Sequence, residues 1–123
     1  MPDTIETLLR RNLYDVFGER DAKKRREAIA QLWTEDCVFI DHSGKSHGRD
    51  ELDRAVAVLH QRLPDYVFSE LQPVDLLHES GRLAWSFGRP GQQEAIKGVD
   101  VALVRDGRIY LMLTFLDEVP AKL

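Results

Sequence analysis

The sequence lacks the features that mark secreted, membrane and nucleic-acid-binding proteins. Its single cysteine, Cys37, excludes an internal disulfide and fits a reducing compartment. No segment approaches the roughly 20 apolar residues of a membrane span. The opening MPDTIETLL has neither the basic region nor the long apolar region of a signal peptide. With 21 acidic against 17 basic residues, the chain has no basic surplus for an anionic partner. We therefore expect a cytoplasmic protein with no nucleic-acid and no membrane partner.

Motifs for cofactors and metals are also missing. The sequence contains no glycine-rich phosphate loop and no nucleophile elbow. His42 and His47 flank a loop, but their spacing matches no zinc pattern, and their roles stay open. We predict neither a cofactor nor a metal ion. A chain of 123 residues with 43% hydrophobic and 31% charged residues is typical of one globular domain, residues 1–123.

The first half of the chain predicts three helices. A first helix is predicted from Asp3 to Phe17, where apolar residues recur at helical spacing, and Gly18 ends it. Asp21 can cap a second helix over about 22–33. A third helix is predicted over about 49–62, with Leu59 on its apolar stripe.

Strands follow the helices. Cys37–Asp41 predicts a short strand, and the polar stretch 42–48 predicts a loop. The second half alternates with period two between glycine and proline turns, which predicts four long antiparallel strands, the first interrupted at Pro73: 66–78, 82–89, 93–105 and 108–117. Helices first and a meander afterwards predict an α+β fold, with the helices on one face of a curved sheet.

The last hairpin, Gly98–Asp117, carries a charge where a strand interior should have none. Asp100 lies between Val99 and Val101, and burying a carboxylate is costly unless it is hydrogen-bonded, paired or protonated. Both faces of this hairpin are mostly apolar, although the helices can cover only one of them. We therefore expect a homodimer in which a second copy covers the outer sheet face by two-fold symmetry.

Four segments in this order resemble the nuclear-transport-factor-2-like superfamily, in its SnoaL-like and ketosteroid isomerase-like branch. They are 32–41 (LWTEDCVFID), 48–52 (GRDEL), 98–100 (GVD) and 106–117 (DGRIYLMLTFLD). The resemblance implies a cystatin-like, cone-shaped barrel: three N-terminal helices pack on a curved, mainly antiparallel sheet around an apolar pocket. It also implies dimers through the outer sheet face. The fold hosts many functions, so it does not specify one.

The resemblance also implies a candidate site. Asp41 matches the general base of ketosteroid isomerases. Asp100 matches a pocket acid there and a proton-transferring aspartate of polyketide cyclases. The residues expected to line the pocket are Trp85, Phe39, Met112, Leu59, Leu13 and Thr114. The alternatives are that Asp100 is a satisfied acid in a functionless pocket and that Asp41 is an ordinary turn residue.

The register of the last hairpin is open. A two-residue turn at Asp106-Gly107 would place Asp100 opposite Leu113, whereas a three-residue loop would place it opposite Met112. We favour the three-residue loop, because it directs the more polar residues of the last strand towards the pocket, as in the family: Tyr110, Met112 and Thr114.

Two positions depart from the related enzymes. The tyrosine that ketosteroid isomerases place beside the pocket acid falls on Leu13, while Tyr14 points elsewhere. The arginine that limonene-epoxide hydrolases need two residues before the pocket aspartate is Gly98 here. The chain is thus most similar to the SnoaL-like group. We expect His60 and His78 to face solvent and Cys37 to lie in the core.

The sequence favours an acid/base enzyme acting on a small apolar carbonyl compound, of isomerase, cyclase or dehydratase type, with Asp100 and Asp41 as the acid/base pair. The alternative is a non-catalytic module with the same fold that binds a ligand or a protein partner. A cavity of about 300 Å³ or more that both aspartates reach would favour the enzyme, and a cone filled by side chains, or Asp100 bonded into a closed network, would favour the module.

Overall fold

The N-terminal helical segment is α-helical in its first half and π-helical in its second half. In the computed structural model, which describes residues 4–121 and 123, helix α1 (Ile5–Arg11) begins at Thr4, whose hydroxyl accepts the Thr7 amide at 3.1 Å. From Asn12 to Phe17 the chain is π-helical and ends at Gly18. The predicted helix is therefore present, but its wider second half buries a polar residue, Asn12, which the apolar stripe did not indicate.

Two further helices confirm the capping and periodicity arguments. Helix α2 (Ala22–Leu32) begins at Asp21, whose Oδ2 accepts the Lys24 amide at 2.9 Å. Helix α3 (Gly48–Arg62) buries the centre of its predicted apolar stripe. Within residues 4–121 and 123, no helix is long and apolar enough to cross a membrane.

In the part of the chain that the structure describes, seven strands form one curved sheet: β1 (Trp33–Asp41), β2 (Gly44–His47), β3 (Val67–Glu70), β4 (Asp75–Leu77), β5 (Ser80–Arg89), β6 (Gln92–Arg105) and β7 (Arg108–Leu116). Their order is β2-β1-β7-β6-β5-β3, and β4 also pairs with β5. Only β1 and β7 run parallel among these pairs. The helices precede the long strands and pack against them, so the predicted α+β class is confirmed.

The loop predicted over 42–48 is wrong, because most of it forms a hairpin. Asp41 pairs with Gly44, and β2 returns antiparallel to β1. Gly44 has φ +139°, a conformation that side chains rarely adopt. Asp41 Oδ1 accepts both the amide and the hydroxyl of Ser43, at 2.9 and 2.7 Å, which stabilises the tight turn. The polar composition of the segment concealed a strand.

The three-residue loop favoured for the last hairpin is also wrong. Arg105 pairs with Arg108, which leaves a two-residue turn. Asp106 and Gly107 have φ of 54° and 77°, as a type I′ hairpin turn requires.

A β-bulge then changes the register of β7 by one residue. Val104 pairs with Ile109 and Leu103 pairs with Leu111, so Tyr110 is the extra residue. Asp100 consequently lies opposite Thr114, a pairing that neither turn alone would produce. The bulge reverses which side chains of β7 face the helices, since Ile109 before it and Met112 after it are both fully buried.

His60 does not face solvent as expected. Its Nε2 lies 2.6 Å from the carbonyl oxygen of Phe17, and its Nδ1 lies 3.5 Å from Arg25 Nη1. Burial lowers the pKa of this imidazole. His78 is exposed as predicted. Cys37 is buried in the core, and burial raises the pKa of its thiol.

Candidate functional site

Asp100 is a buried carboxyl group with hydrogen bonds on one oxygen only. It is 4% exposed. Trp85 Nε1 donates to Asp100 Oδ1 at 3.0 Å, and Thr114 Oγ1 donates to the same oxygen at 2.7 Å. Oδ2 accepts no hydrogen bond from the residues described, 4–121 and 123. One oxygen thus holds the carboxyl group in place, and the other is available.

The environment of Asp100 makes it a base suited to neutral pH. Burial raises its pKa to about 6, and the hydrogen bonds from Thr114 and Trp85 act in the opposite direction. At pH 7 the group is therefore mainly ionised, but it binds a proton more strongly than an exposed aspartate. A general base is most effective when its pKa lies near the working pH.

Gly98 allows the Trp85 ring to reach Asp100. Trp85 and Gly98 face each other across β5 and β6. A Cβ atom on Gly98 would lie 2.7 Å from Cζ2 of the indole and 2.7 Å from the carbonyl oxygen of Phe115. Because real Cβ atoms do not approach so closely, any side chain here would move the indole. The glycine found where limonene-epoxide hydrolases have arginine thus has a structural role.

A cavity of about 260 Å³ lies beside Asp100. Both candidate aspartates border it, and most of its wall is apolar. The lining residues described are Leu13, Phe17, Phe39, Asp41, His42, Ser43, Ala55, Val58, Leu59, Arg62, Phe68, Trp85, Phe87, Ile96, Asp100, Thr114, Leu116 and Leu123. This volume is slightly below the usual range for small-molecule sites, about 300–1,000 Å³, so a ligand enclosed in it would have to be small.

Aromatic rings form much of the wall. Phe68 stacks on Phe87 at a centroid distance of 4.0 Å and contacts Trp85 edge-on at 5.3 Å. Phe17 lies 5.2 Å from Phe39 on another part of the lining. Flat aromatic surfaces with few polar groups favour a flat apolar ligand.

The open end of the cavity is mostly polar, with Val58 as an exposed apolar lining residue. His42, Ser43 and Arg62 are exposed lining residues. Asp41 is half-buried and shares the β1–β2 hairpin turn with His42 and Ser43, whereas Arg62 comes from the end of α3. We refer to these four residues as the cavity mouth. Asp41 has one oxygen bonded to Ser43, so it combines a turn-stabilising role with access to the cavity.

The structure brings together seven of the eight residues proposed from the sequence: Leu13, Phe39, Asp41, Leu59, Trp85, Asp100 and Thr114. Met112 differs. It does not border the cavity in the part of the chain described, but is fully buried, with its sulfur 3.5 Å from Asn12 Nδ2. The reason is the register, since Met112 pairs with Ala102 and Thr114 pairs with Asp100.

Sequence reasoning missed several lining residues. Phe87 could have been found, because it shares a strand face with Trp85 at period two. Phe17 lies on the predicted apolar stripe. Phe68 and Arg62 gave no local signal, since only the packing of β3 and the end of α3 brings them to the cavity.

The tyrosine of ketosteroid isomerases has no counterpart here. Leu13 borders the cavity, whereas Tyr14 is 41% exposed and donates its hydroxyl to Glu70 at 3.0 Å. No tyrosine lines the cavity among residues 4–121 and 123. The described residues also contain no group of three potential metal-binding side chains.

Residues 11–112 match the model of the SnoaL-like domain family. The chain belongs to the SnoaL-like family. The family predicted from the sequence segments is thereby confirmed. No curated protein matches the sequence.

Solved structures agree with this family assignment. A SnoaL-like protein from Agrobacterium tumefaciens, provisionally assigned as an isomerase, is 25% identical, with a TM-score of 0.84 over 91% of this chain and 96% of its own. A SnoaL-like protein from Jannaschia, provisionally assigned as a polyketide cyclase, is 17% identical, with a TM-score of 0.74 over 94% and 89%. A nuclear-transport-factor-2-like protein from Exiguobacterium is 19% identical, with a TM-score of 0.70 over 91% and 99%. The last two similarities show the fold alone.

Proposed function

We propose that this SnoaL-like protein catalyses proton transfer at a carbon atom beside the carbonyl group of a small, flat, apolar compound. The reaction type is isomerisation, cyclisation or dehydration. The observation that carries the proposal is the free oxygen of Asp100, a buried carboxylate with a pKa of about 6 that borders an aromatic cavity. Perturbed carboxyl groups in clefts are candidates for acid/base catalysis.

The proposed chemistry uses both oxygens of Asp100. Oδ2 removes a proton from the carbon next to the carbonyl, and the C–H electrons form a C=C bond while the carbonyl oxygen becomes negative. Oδ1 stays bonded to Trp85 and Thr114, which keeps the carboxyl group oriented during the transfer. Asp100 then returns the proton to the same or a neighbouring atom. Asp41, at the cavity mouth, is proposed as the second acid/base group, exchanging protons at the outer end of the ligand.

Exchange of protons for deuterium tests this proposal without knowledge of the natural substrate. The probe is 2-tetralone, a flat apolar ketone, in D₂O, with loss of its C1 protons followed by NMR. We expect the protein to accelerate exchange over buffer, and Asp100→Asn to lower the enzymatic rate by about 10²-fold or more. Asp106→Asn, in an exposed turn that also suits asparagine, is the control and should retain full activity.

Two results would overturn the catalytic proposal. One is exchange no faster than in buffer with the wild-type protein. The other is a rate that survives Asp100→Asn.

A ligand-binding module without catalysis is the alternative. The absence of a tyrosine hydroxyl at Leu13 favours it, since both donors around Asp100 are already bonded to the carboxyl group and a developing oxyanion would lack preorganised donors. Binding of 2-tetralone with unaccelerated exchange would support this alternative.

We also propose that a second copy of the chain covers the outer sheet face. Phe115 is 57% exposed on β7, and the partly exposed residues of the same face are Leu111 and Leu113 on β7 and Val101 and Leu103 on β6. The charged residue next to this face is Arg82, which pairs with Val101 on β6 and forms an ion pair with Asp75. A mostly apolar exposed face of this kind marks an interaction site, and a two-fold axis would pair it with itself. Sedimentation equilibrium tests the proposal: we expect a dimer that Phe115→Glu dissociates. A wild-type protein that stays monomeric at 100 times the protein concentration of the deuterium-exchange assay would contradict it.

A further inference from the structure

Arg62 is a cation at the cavity mouth with no ion-pair partner among the residues that the structure describes. It is the last residue of helix α3 and borders the cavity. Within residues 4–121 and 123 it makes no ion pair or hydrogen bond to another side chain or carbonyl group. Neighbouring arginines are occupied: Arg20 donates to the carbonyl oxygens of residues 60, 63 and 66, and Arg25 pairs with Asp53.

We propose that Arg62 binds an anionic group of the ligand, so that the substrates are apolar carboxylates whose carbonyl end reaches Asp100. This inference rests on the proposed proton-transfer function and names its substrate class. The long, flexible arginine side chain presents several N–H donors that match a carboxylate. The residues on either side of Arg62, which are Gln61 in α3 and Leu63 after it, carry no carboxylate that competes for the guanidinium, and the next carboxylate along the chain is Asp65.

Charge at the other end of the cavity sets the orientation of such a ligand. The Asp100 carboxylate lies in an apolar interior, where an anion brought next to it would be repelled strongly. At the mouth, the half-buried Asp41 carboxylate also borders the cavity, with Oδ1 bonded to Ser43, but there the Arg62 guanidinium supplies a positive charge, which no lysine or arginine supplies beside Asp100 among the lining residues described. A ligand with one anionic end and one neutral carbonyl end therefore fits in one direction only, with the anion outward.

A pair of ketones that differ by one carboxylate tests the inference. The probes are 2-tetralone and 6-carboxy-2-tetralone, whose carboxylate lies at the end remote from the ketone. For the wild-type protein we expect 6-carboxy-2-tetralone to have a lower KM than 2-tetralone and a lower Kd, measured by calorimetry. Arg62→Gln should raise the KM and Kd of the carboxylate about 5–20-fold, with kcat little changed, and should raise the KM and Kd of 2-tetralone by a clearly smaller factor.

Arg54 provides the matched control. It lies on the same helix, is exposed, and borders no part of the cavity described. Arg54→Gln should therefore affect neither ketone. Arg62→Glu should weaken binding of the carboxylate more than Arg62→Gln does, because the mouth then repels it.

The two proposals fail in different ways. Deuterium exchange of both ketones at the buffer rate contradicts the catalytic proposal, while the two Kd values still measure the preference for an anion. Wild-type turnover of 2-tetralone with no preference for the carboxylate, or a preference that survives Arg62→Gln, overturns the role of Arg62 alone.

Discussion

Thr114 and Asp100 face each other across strands β6 and β7, and the Thr114 hydroxyl lies 2.7 Å from Asp100 Oδ1. The same oxygen accepts the indole N–H of Trp85. The pair exists because a bulge at Tyr110 moves β7 by one residue. The acid/base character of the proposed site therefore depends on the register of one hairpin.

Removing the Thr114 hydroxyl should raise the pKa of Asp100 further. Burial raises this pKa to about 6, and the hydrogen bond from Thr114 lowers it. Thr114→Val removes a donor to the ionised form, so we expect a pKa above that of the wild type, measured by carbon-13 NMR of the Asp100 carboxyl group. Thr114→Ser keeps the hydroxyl and should restore the wild-type value. A pKa that stays constant or falls in Thr114→Val would contradict this account.

Replacing Asp100 by asparagine should stabilise the fold at neutral pH. The pKa of about 6 in the folded protein lies above the ordinary aspartate value of 3.8, so the folded state binds the proton more tightly than the unfolded chain. The contribution of Asp100 to the free energy of unfolding therefore decreases as pH rises from about 4 to about 6 and then stays constant. Two pKa units correspond to about 3 kcal/mol at most.

Urea unfolding at two pH values measures this effect. We expect the free energy of unfolding of Asp100→Asn to exceed that of the wild type by about 1–3 kcal/mol at pH 7.5, and the difference to shrink towards zero at pH 4. Asp65→Asn, at an exposed position, should differ little from the wild type at either pH. A variant less stable than the wild type at pH 7.5 would show that the carboxylate stabilises the fold.

A methyl group on Gly98 should displace the Trp85 indole. The Cβ atom would lie 2.7 Å from the ring and 2.7 Å from the Phe115 carbonyl oxygen, so Gly98→Ala should cost about 1–3 kcal/mol of stability. In proton–nitrogen NMR spectra, the indole N–H signal of Trp85 should move. The signal of Trp33, which donates to Asn12 Oδ1, serves as internal control and should stay. An unchanged Trp85 signal would refute the proposed function of this glycine.

Breaking the buried ion pair between α2 and α3 should destabilise the fold. Arg25 Nε lies 2.6 Å from Asp53 Oδ1, with side chains 4% and 16% exposed. Asp53→Asn leaves the Arg25 guanidinium without its charge partner, and we expect a loss of about 3 kcal/mol in the free energy of unfolding. Asp15→Asn, which loses a more exposed pair with Arg11, should cost well under half as much. Equal losses in the two variants would argue that burial does not matter here.

Local patterns along the chain were sufficient to predict much of the fold. The Asp21 cap, the apolar stripes of the helices and the period-two strand β5 each depend on a few neighbouring residues, and all three form as predicted. The misplaced charge of Asp100 likewise marked a special position, because a strand interior excludes an unsatisfied carboxylate. Local sequence was sufficient for these features, since caps and periodicity act within a few residues.

Other features arise only when distant segments pack. The bulge at Tyr110, and with it the Thr114–Asp100 pair, follows from how β7 fits between β1 and β6. Strand β2 forms because β1 offers an edge, and Asn12 is buried because Trp33 supplies a donor. Arg62 reaches the cavity through the packing of α3. Strand register and side-chain neighbours depend on contacts between residues far apart in sequence, and no local periodicity encodes those contacts.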